Sequence, residues 1–347
     1  MLGFGYGGRM CKLPELKGEI VRIGLIPLIC VLAFSAMALG DEGSAQVLIP
    51  QTDGPWWQVA GSPTDHKYAT EKQQPVDFAV WQAADGTWQL WSCIRHTTAG
   101  GNNGNTRFFY RWEGKNLTDA NWRPMGIAME ADPSVGEAPG GLQAPHVIKA
   151  GDTFHMFYGD WANICRATSK DGKNFTRVLQ KNGKTGMFNE GPGEHARDPM
   201  ILKVGDRYHC YYTAHSMRSP AKNHRGVNYC RVSTDLQNWG PSRIVAEGSA
   251  YREGPYCAEC PHVVYLPESK HYYLFNTQRY GRRQHATVFR SADPLHFGIN
   301  DNRLEVTTLP VAAPEIILHD GRYYIASLMP SLKGIQVARL KWLPKSN

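Results

Sequence analysis

One supersecondary pattern recurs five times along this 347-residue chain, and it constrains the fold more than any other feature. Each copy begins with a short extended run near a proline, passes through a polar turn containing Gly or Asp, and continues as an aromatic-rich strand. The copies are VDFAVWQAADGTWQLWSC from Val76, APHVIKAGDTFHMFYGDW from Ala144, RDPMILKVGDRYHCYYTA from Arg197, ECPHVVYLPESKHYYLFNT from Glu259 and APEIILHDGRYYIASL from Ala313. Apolar and polar residues alternate around turns such as Asp85-Gly86, Gly151-Asp152, Gly205-Asp206 and Asp320-Gly321, which marks β-hairpins. Three copies run on into a third strand closed by a Ser and Asp turn, from Cys165, Cys230 and Val288. With Phe78 aligned to Pro145, Pro199, Pro261 and Pro314, the intervals are 67, 54, 62 and 53 residues. Repeats of that length carrying about four strands each are propeller blades, so the chain is predicted to be all-β, a five-bladed β-propeller, with a β-sandwich as the alternative. The last copy is too short for four strands, and QVLIPQTDGPWWQV, residues 46–59, is predicted to supply the closing one.

Composition agrees with short elements joined by turns, since 35 Gly and 22 Pro argue against a long-helix bundle. The formal charge of +7 is spread along the chain without an arginine-rich run, which excludes a nucleic-acid partner from the reading. Arg9, Lys12, Lys17 and Arg22 precede an uncharged stretch from Ile23 to Gly40 that ends in Ala36-Met37-Ala38. This is the pattern of a secretory signal peptide, placed at residues 1–38. A permanent anchor is the rival, because about 18 apolar residues just span a bilayer, but Pro27 and the small-residue end favour cleavage. The mature chain, 39–347, is then expected to be one secreted or periplasmic domain, a monomer without a further membrane segment. It keeps six cysteines, Cys93, Cys165, Cys210, Cys230, Cys257 and Cys260. Export permits up to three disulfides, among pairings the sequence does not choose between. Cys257 and Cys260 have CxxC spacing but no second such pair accompanies them, so no metal is assigned there.

The innermost strands of a propeller surround one channel, so equivalent positions of different repeats converge. Asp77, Asp198 and Glu259 stand at the start of three of these strands, with Ala144 and Ala313 in the other two. Like charges held close raise one another's pKa, and a carboxyl pushed upward serves as a general acid near neutral pH. Two carboxyls flanking a bond are the apparatus of glycoside hydrolysis. No GxSxG, Walker or HExxH sequence offers a competing chemistry.

Glu259-Cys260-Pro261, Arg197-Asp198-Pro199 and the Asp of the first repeat together resemble the five-bladed propeller glycosidases of families 43 and 32. The resemblance spans roughly residues 70 to 342. It implies that Asp77 is the general base or nucleophile, that Asp198 tunes pKa and binds substrate hydroxyls, and that Glu259 is the general acid. The ECP and RDP triplets are closer to family 32, the invertases and levanases. Yet that family's Asn-Asp-Pro-Asn is replaced by Pro75-Val76-Asp77-Phe78, and Gln143-Ala144-Pro145-His146 resembles the second blade of family 43, which includes arabinofuranosidases and xylosidases. The favoured expectation is a family 43-like inverting enzyme removing a terminal, furanosidic sugar from a plant or algal carbohydrate. A retaining fructan hydrolase is the alternative enzyme, and a catalytically dead carbohydrate-binding propeller is the alternative from another class.

Further candidates surround the trio. His146, His262 and Glu315 follow the aligned prolines and are read as lining a substrate subsite; no cofactor is required, while a structural cation at these three is left open. Arg197 and His195 are candidate ligands for substrate hydroxyls or a carboxylate, and Trp81 and Trp161 are candidate sugar platforms. Glu253, in an EGP triplet, competes with Glu259 for the acid's role, but the hairpin begins only after Pro261.

Overall fold

A computed structural model of the chain describes residues 46–100, 107–191, 194–216, 226–248 and 256–345. The expected leader and Glu253 lie outside the described residues.

The predicted hairpins form where the turn chemistry asks for them. Gly151 and Gly205 adopt φ of 57° and 60° as the first residue of two-residue loops, while Asp320 and Gly321 are both left-handed, with φ of 49° and 71°. These match the II′ and I′ turns that follow the twist of paired strands. The Ser and Asp turns also have a physical cause. Asp235 Oδ1 accepts from the Gln237 and Asn238 amides at 2.9 and 2.7 Å and from Ser233 Oγ at 3.0 Å, bonds that hold its carboxyl below the usual range. Asp171 repeats the arrangement with the Lys173 and Asn174 amides, both at 2.8 Å.

Among the described residues, twenty-one strands assemble into five antiparallel sheets, the blades of a five-bladed β-propeller. Blade one is β2 (Gln74–Gln82), β3 (Trp88–Arg95), β4 (Phe108–Gly114) and β5 (Arg123–Met129). Blade two runs β6 (Gln143–Ala150), β7 (Thr153–Gly159), β8 (Ile164–Ser169), with β9 (Thr176–Arg177) and β10 (Gly186–Phe188) both on β8. Blade three is β11 (Glu194–Val204), β12 (Arg207–Ser216), β13 (Val227–Ser233) and β14 (Arg243–Ala246). Blade four is β15 (Glu259–Leu266), β16 (His271–Arg279), β17 (His285–Ser291) and β18 (Glu305–Leu309). Blade five takes β19 (Glu315–His319), β20 (Arg322–Leu328) and β21 (Gly334–Pro344) from the end of the chain and β1 (Leu48–Gly61) from its beginning. The closing strand is therefore the segment the sequence nominated. Among the described residues no helix is long and apolar enough to cross a membrane.

The aromatic residues of the repeats fill the spaces between sheets. Trp91, Tyr110, Tyr158, Tyr211, Tyr212 and Tyr273 are fully buried, and one apolar cluster runs from Tyr324 and Val59 of blade five through blade one to Tyr158 of blade two. Burial of this kind, at roughly 25 cal/mol per Å² of apolar surface, holds neighbouring blades in register around the channel. Cys93, Cys165, Cys210, Cys230 and Cys260 carry free thiols, so the disulfides that export would permit are not formed at these positions. Four of the five are buried within blades, where they pack as small apolar side chains.

Candidate active site

The innermost strands β2, β6, β11 and β15 share a kink at their beginnings, where the ladder to the next strand slips at Val76/Phe78, Gln143/His146, Arg197/Met200 and Glu259/His262. At these kinks, and just before β19, stands a non-glycine residue with positive φ: Asp77 (38°), Ala144 (40°), Asp198 (56°), Cys260 (48°) and Ala313 (47°). Backbone strain of about 1–3 kcal/mol per such residue persists only where the surroundings over-determine it. Its effect is to suspend the period-2 alternation, so that two successive side chains face the channel. Phe78, Pro145, Pro199, Pro261 and Pro314, the aligned residues of the repeats, line the channel together with the five left-handed residues.

The repeat position of Glu259 is thereby corrected. Asp77 and Asp198 are equivalent, but their counterpart in blade four is Cys260, and Glu259 stands one residue earlier, in line with Val76, Gln143, Arg197 and Ala312. The trio still converges. Gln143, Arg197 and Glu259 line a cavity of about 370 Å³ together with Asp77, Arg95, Arg107, Trp161, His195, Tyr256 and Tyr280. Asp198 lies in the channel, alongside Asp77.

Each carboxyl has a distinct setting. Glu259 Oε1 accepts from Arg197 Nε at 3.0 Å and Nη2 at 2.8 Å, so both bonds fall on one oxygen and Oε2 is left for the pocket. Burial pushes the Glu259 carboxyl above its ordinary value and the charge on Asp77 adds to this, against the opposing Arg197 guanidinium. Asp77 Oδ1 accepts from the Tyr280 hydroxyl at 3.2 Å and from Cys260 Sγ at 3.3 Å, and Oδ2 faces Cys93 Sγ at 3.7 Å. Asp198 is 4% exposed, accepts from the Cys260 amide at 3.0 Å and has Arg197 Nε 3.8 Å away. Burial, reinforced by Asp77 and Glu259 and opposed by Arg197, pushes its carboxyl up to about 7.

A pH dependence of stability follows. With its folded value near 7 against an ordinary 3.8, Asp198 keeps a proton in the folded chain that the unfolded chain has released. The stabilisation is complete below pH of about 4 and is lost as pH climbs through about 7. The melting temperature of the wild type should fall across that window, and Asp198→Asn, which cannot ionise, should flatten the slope; Glu259, shifted the same way, supplies what remains. Parallel slopes for the two proteins would count against the buried proton.

The other expected residues divide. Arg197 and His195 do line the pocket, but Arg197 is committed to Glu259 and to His195 Nδ1, 3.2 Å from its Nη1, so its first effect is to hold the acid in place. Trp161 lines the pocket with His195 stacked on it at 4.8 Å and the Arg107 guanidinium 4.7 Å from its ring. Trp81 is corrected from platform to core: it is 7% exposed, packs against Trp91 and Phe175, and donates its indole N–H to the Gly172 carbonyl at 2.8 Å. His146, His262 and Glu315 are likewise absent from the lining of this pocket, though Glu315 lines the channel with Asp77 and Asp198. One residue past the proline puts them together, with His146 Nδ1 and His262 Nδ1 at 4.0 and 3.8 Å from Glu315 Oε1, and His262 Nε2 accepts from the Ile316 amide at 3.1 Å. Burial would raise the Glu315 carboxyl, but the two imidazoles outweigh it and hold it low. Among the described residues no group of three or more His, Cys, Asp or Glu side chains is arranged to hold a metal ion.

Five pocket residues were not nominated as site residues from the sequence: Arg95, Arg107, Gln143, Tyr256 and Tyr280. A signal existed for three of them. Gln143 occupies the repeat position of Glu259, while Arg95 ends β3 and Tyr280 follows β16, the strands that return each hairpin to the mouth of the channel.

No family model and no curated protein sequence matches the chain. Solved structures do. A thermostable family-43 glycoside hydrolase aligns with a TM-score of 0.57 at 17% identity, covering 80% of this chain and 96% of that one. A family-43 enzyme from Xanthomonas citri, solved with xylotriose, gives 0.57 at 13% identity over 81% and 90%. The Bombyx mori family-32 beta-fructofuranosidase gives 0.53 at 16% identity, covering 86% of this chain and 63% of that one. The fold implied by the sequence resemblance is thus the fold of the chain, shared with both families.

Proposed function

We propose that this chain is an exported glycoside hydrolase that removes a terminal sugar by acid and base catalysis from two carboxyls, with inversion at the anomeric carbon. One observation carries the reading: Asp77 and Glu259, from strands in blades one and four, open onto the same 370 Å³ pocket, and only Glu259 is paired with a buried arginine on one oxygen. A cavity of that size suits a sugar ring or two. Glu259, its pKa raised by burial, carries the proton on Oε2 to the glycosidic oxygen as the bond breaks. Asp77 accepts the proton of a water attacking the opposite face of the ring. Asp198, buried beside Arg197 and held by the Cys260 amide, holds a proton of its own, and the charge on Asp77 adds to burial in keeping Glu259 protonated. Arg197 fixes the acid's rotamer. The fold shared with glycosidases of families 43 and 32 supports the reading.

The test is release of reducing sugar by residues 39–347 from arabinan, xylan, levan, inulin and acidic plant or algal oligosaccharides. Proton NMR should show the anomer opposite to the substrate's as the first product. Retention at the anomeric carbon would make Asp77 a nucleophile instead, and no turnover of any substrate would favour a binding propeller.

A further inference from the structure

Two guanidinium groups in the pocket have no carboxylate to match them. Arg197 is answered by Glu259 and Asp198, but Arg95 and Arg107, which line the same cavity, form no ion pair among the described residues. Arg95 donates Nε to the neutral Gln74 Oε1 at 2.9 Å. Arg107 sits 4.7 Å from the Trp161 ring, and its buried Nε has no hydrogen-bond partner. Three guanidiniums therefore face two pocket carboxyls, Asp77 and Glu259, one of which must carry a proton to act as the acid.

A neutral sugar would leave that imbalance in place. Half-buried charges and an unpartnered N–H cost free energy unless a ligand satisfies them. The guanidinium fork matches the oxygens of a carboxylate or a sulfate, and Trp161 holds the Arg107 plane in position for it. We propose that the pocket takes a glycoside bearing an anionic substituent, a uronate carboxylate or a sulfate ester, with Arg107 and Arg95 as its ligands. This names a substrate class for the hydrolase reading above and rests on that reading only for turnover.

The experiment separates the two. Calorimetric titration of the wild type with glucuronate, galacturonate and galactose 6-sulfate, with glucose and galactose as neutral controls, measures binding without chemistry. The acidic sugars should bind at least about tenfold tighter than their neutral counterparts, and the carboxylate and sulfate arms identify which anion is preferred. Arg107→Met and Arg95→Met should each weaken acidic binding about tenfold and reduce the preference for acidic over neutral sugars, and Arg107→Lys should recover part of the loss. Thermal melts of each variant separate a lost ligand from a lost fold. Acidic binding without hydrolysis of the corresponding glycosides upholds the anion site and removes the hydrolase reading. Equal binding of neutral and acidic sugars, binding of neither, or variants indistinguishable from the wild type overturns the anion site, even where neutral glycosides are hydrolysed.

Discussion

Glu259→Gln is expected to lower kcat on natural glycosides by about 10²–10⁴-fold, the contribution of a positioned general acid. The substitution is close to isosteric. The new amide oxygen still accepts from Arg197, as Oε1 does now at 2.8 and 3.0 Å, so KM and the melting temperature should change little. What disappears is the proton on the second oxygen. A nitrophenyl glycoside, whose leaving group departs without help, should therefore recover much of the loss. Asp77→Asn should be as damaging on both kinds of substrate, because water activation is needed whatever departs. An Glu259→Gln enzyme within a few-fold of wild type on natural glycosides would remove Glu259 from the mechanism and turn attention to Glu253.

A chain beginning at Ser62, without β1, is expected to lose cooperative folding. β1 is the outermost strand of blade five, paired with β21 from Leu48↔Pro344 to Gly61↔Gly334. It also joins blade five to blade one: the Asn121 and Trp122 amides donate to the Gln58 and Val59 carbonyls at 2.8 Å, and Trp57 Nε1 donates to the Leu117 carbonyl at 3.2 Å. Val59 and Ala60 are essentially inaccessible to solvent. Burying one residue such as Val59 contributes about 1.5–3 kcal/mol, and the partly buried Trp57 adds more. Against a total stability of about 5–15 kcal/mol, losing these together with an entire ladder leaves little margin. The truncated chain should melt without a sharp transition and expose β21 as an edge open to aggregation. A cooperative melt within a few degrees of the full domain would show that the ring closes without this strand.

The contrast between the two tryptophans proposed as platforms shows where sequence reading meets its limit. Trp81 stands on β2 just before the Asp85-Gly86 turn, walled in by Trp91 of its own blade and by Phe175, whereas Trp161 follows β7 at the other end of its hairpin and borders the cavity. The end of the hairpin each occupies, together with the side chains packed over it, decides the matter. The same holds for His146, His262 and Glu315, whose mutual contacts join blades two, four and five, and for Arg107, whose importance depends on Trp161 from another blade.

By itself the sequence determined the number of blades, the hairpins, the strand that closes the ring and the three acids that meet near its channel. The blades and hairpins follow from local chemistry repeated along the chain, turn residues and alternation within strands under a common period. The acids are read instead from strand starts and the resemblance of their triplets, with Glu259 one residue before the position that Asp77 and Asp198 share. The tertiary structure alone decided which side chain of each repeat enters the pocket. Left-handed residues at the mouth of the channel interrupt the two-residue alternation, so a position counted along the strand no longer tells which way its side chain points. It also decided the pocket's charge, because the balance among Arg95, Arg107, Arg197, Asp77 and Glu259 exists only once blades distant in sequence have closed around one volume.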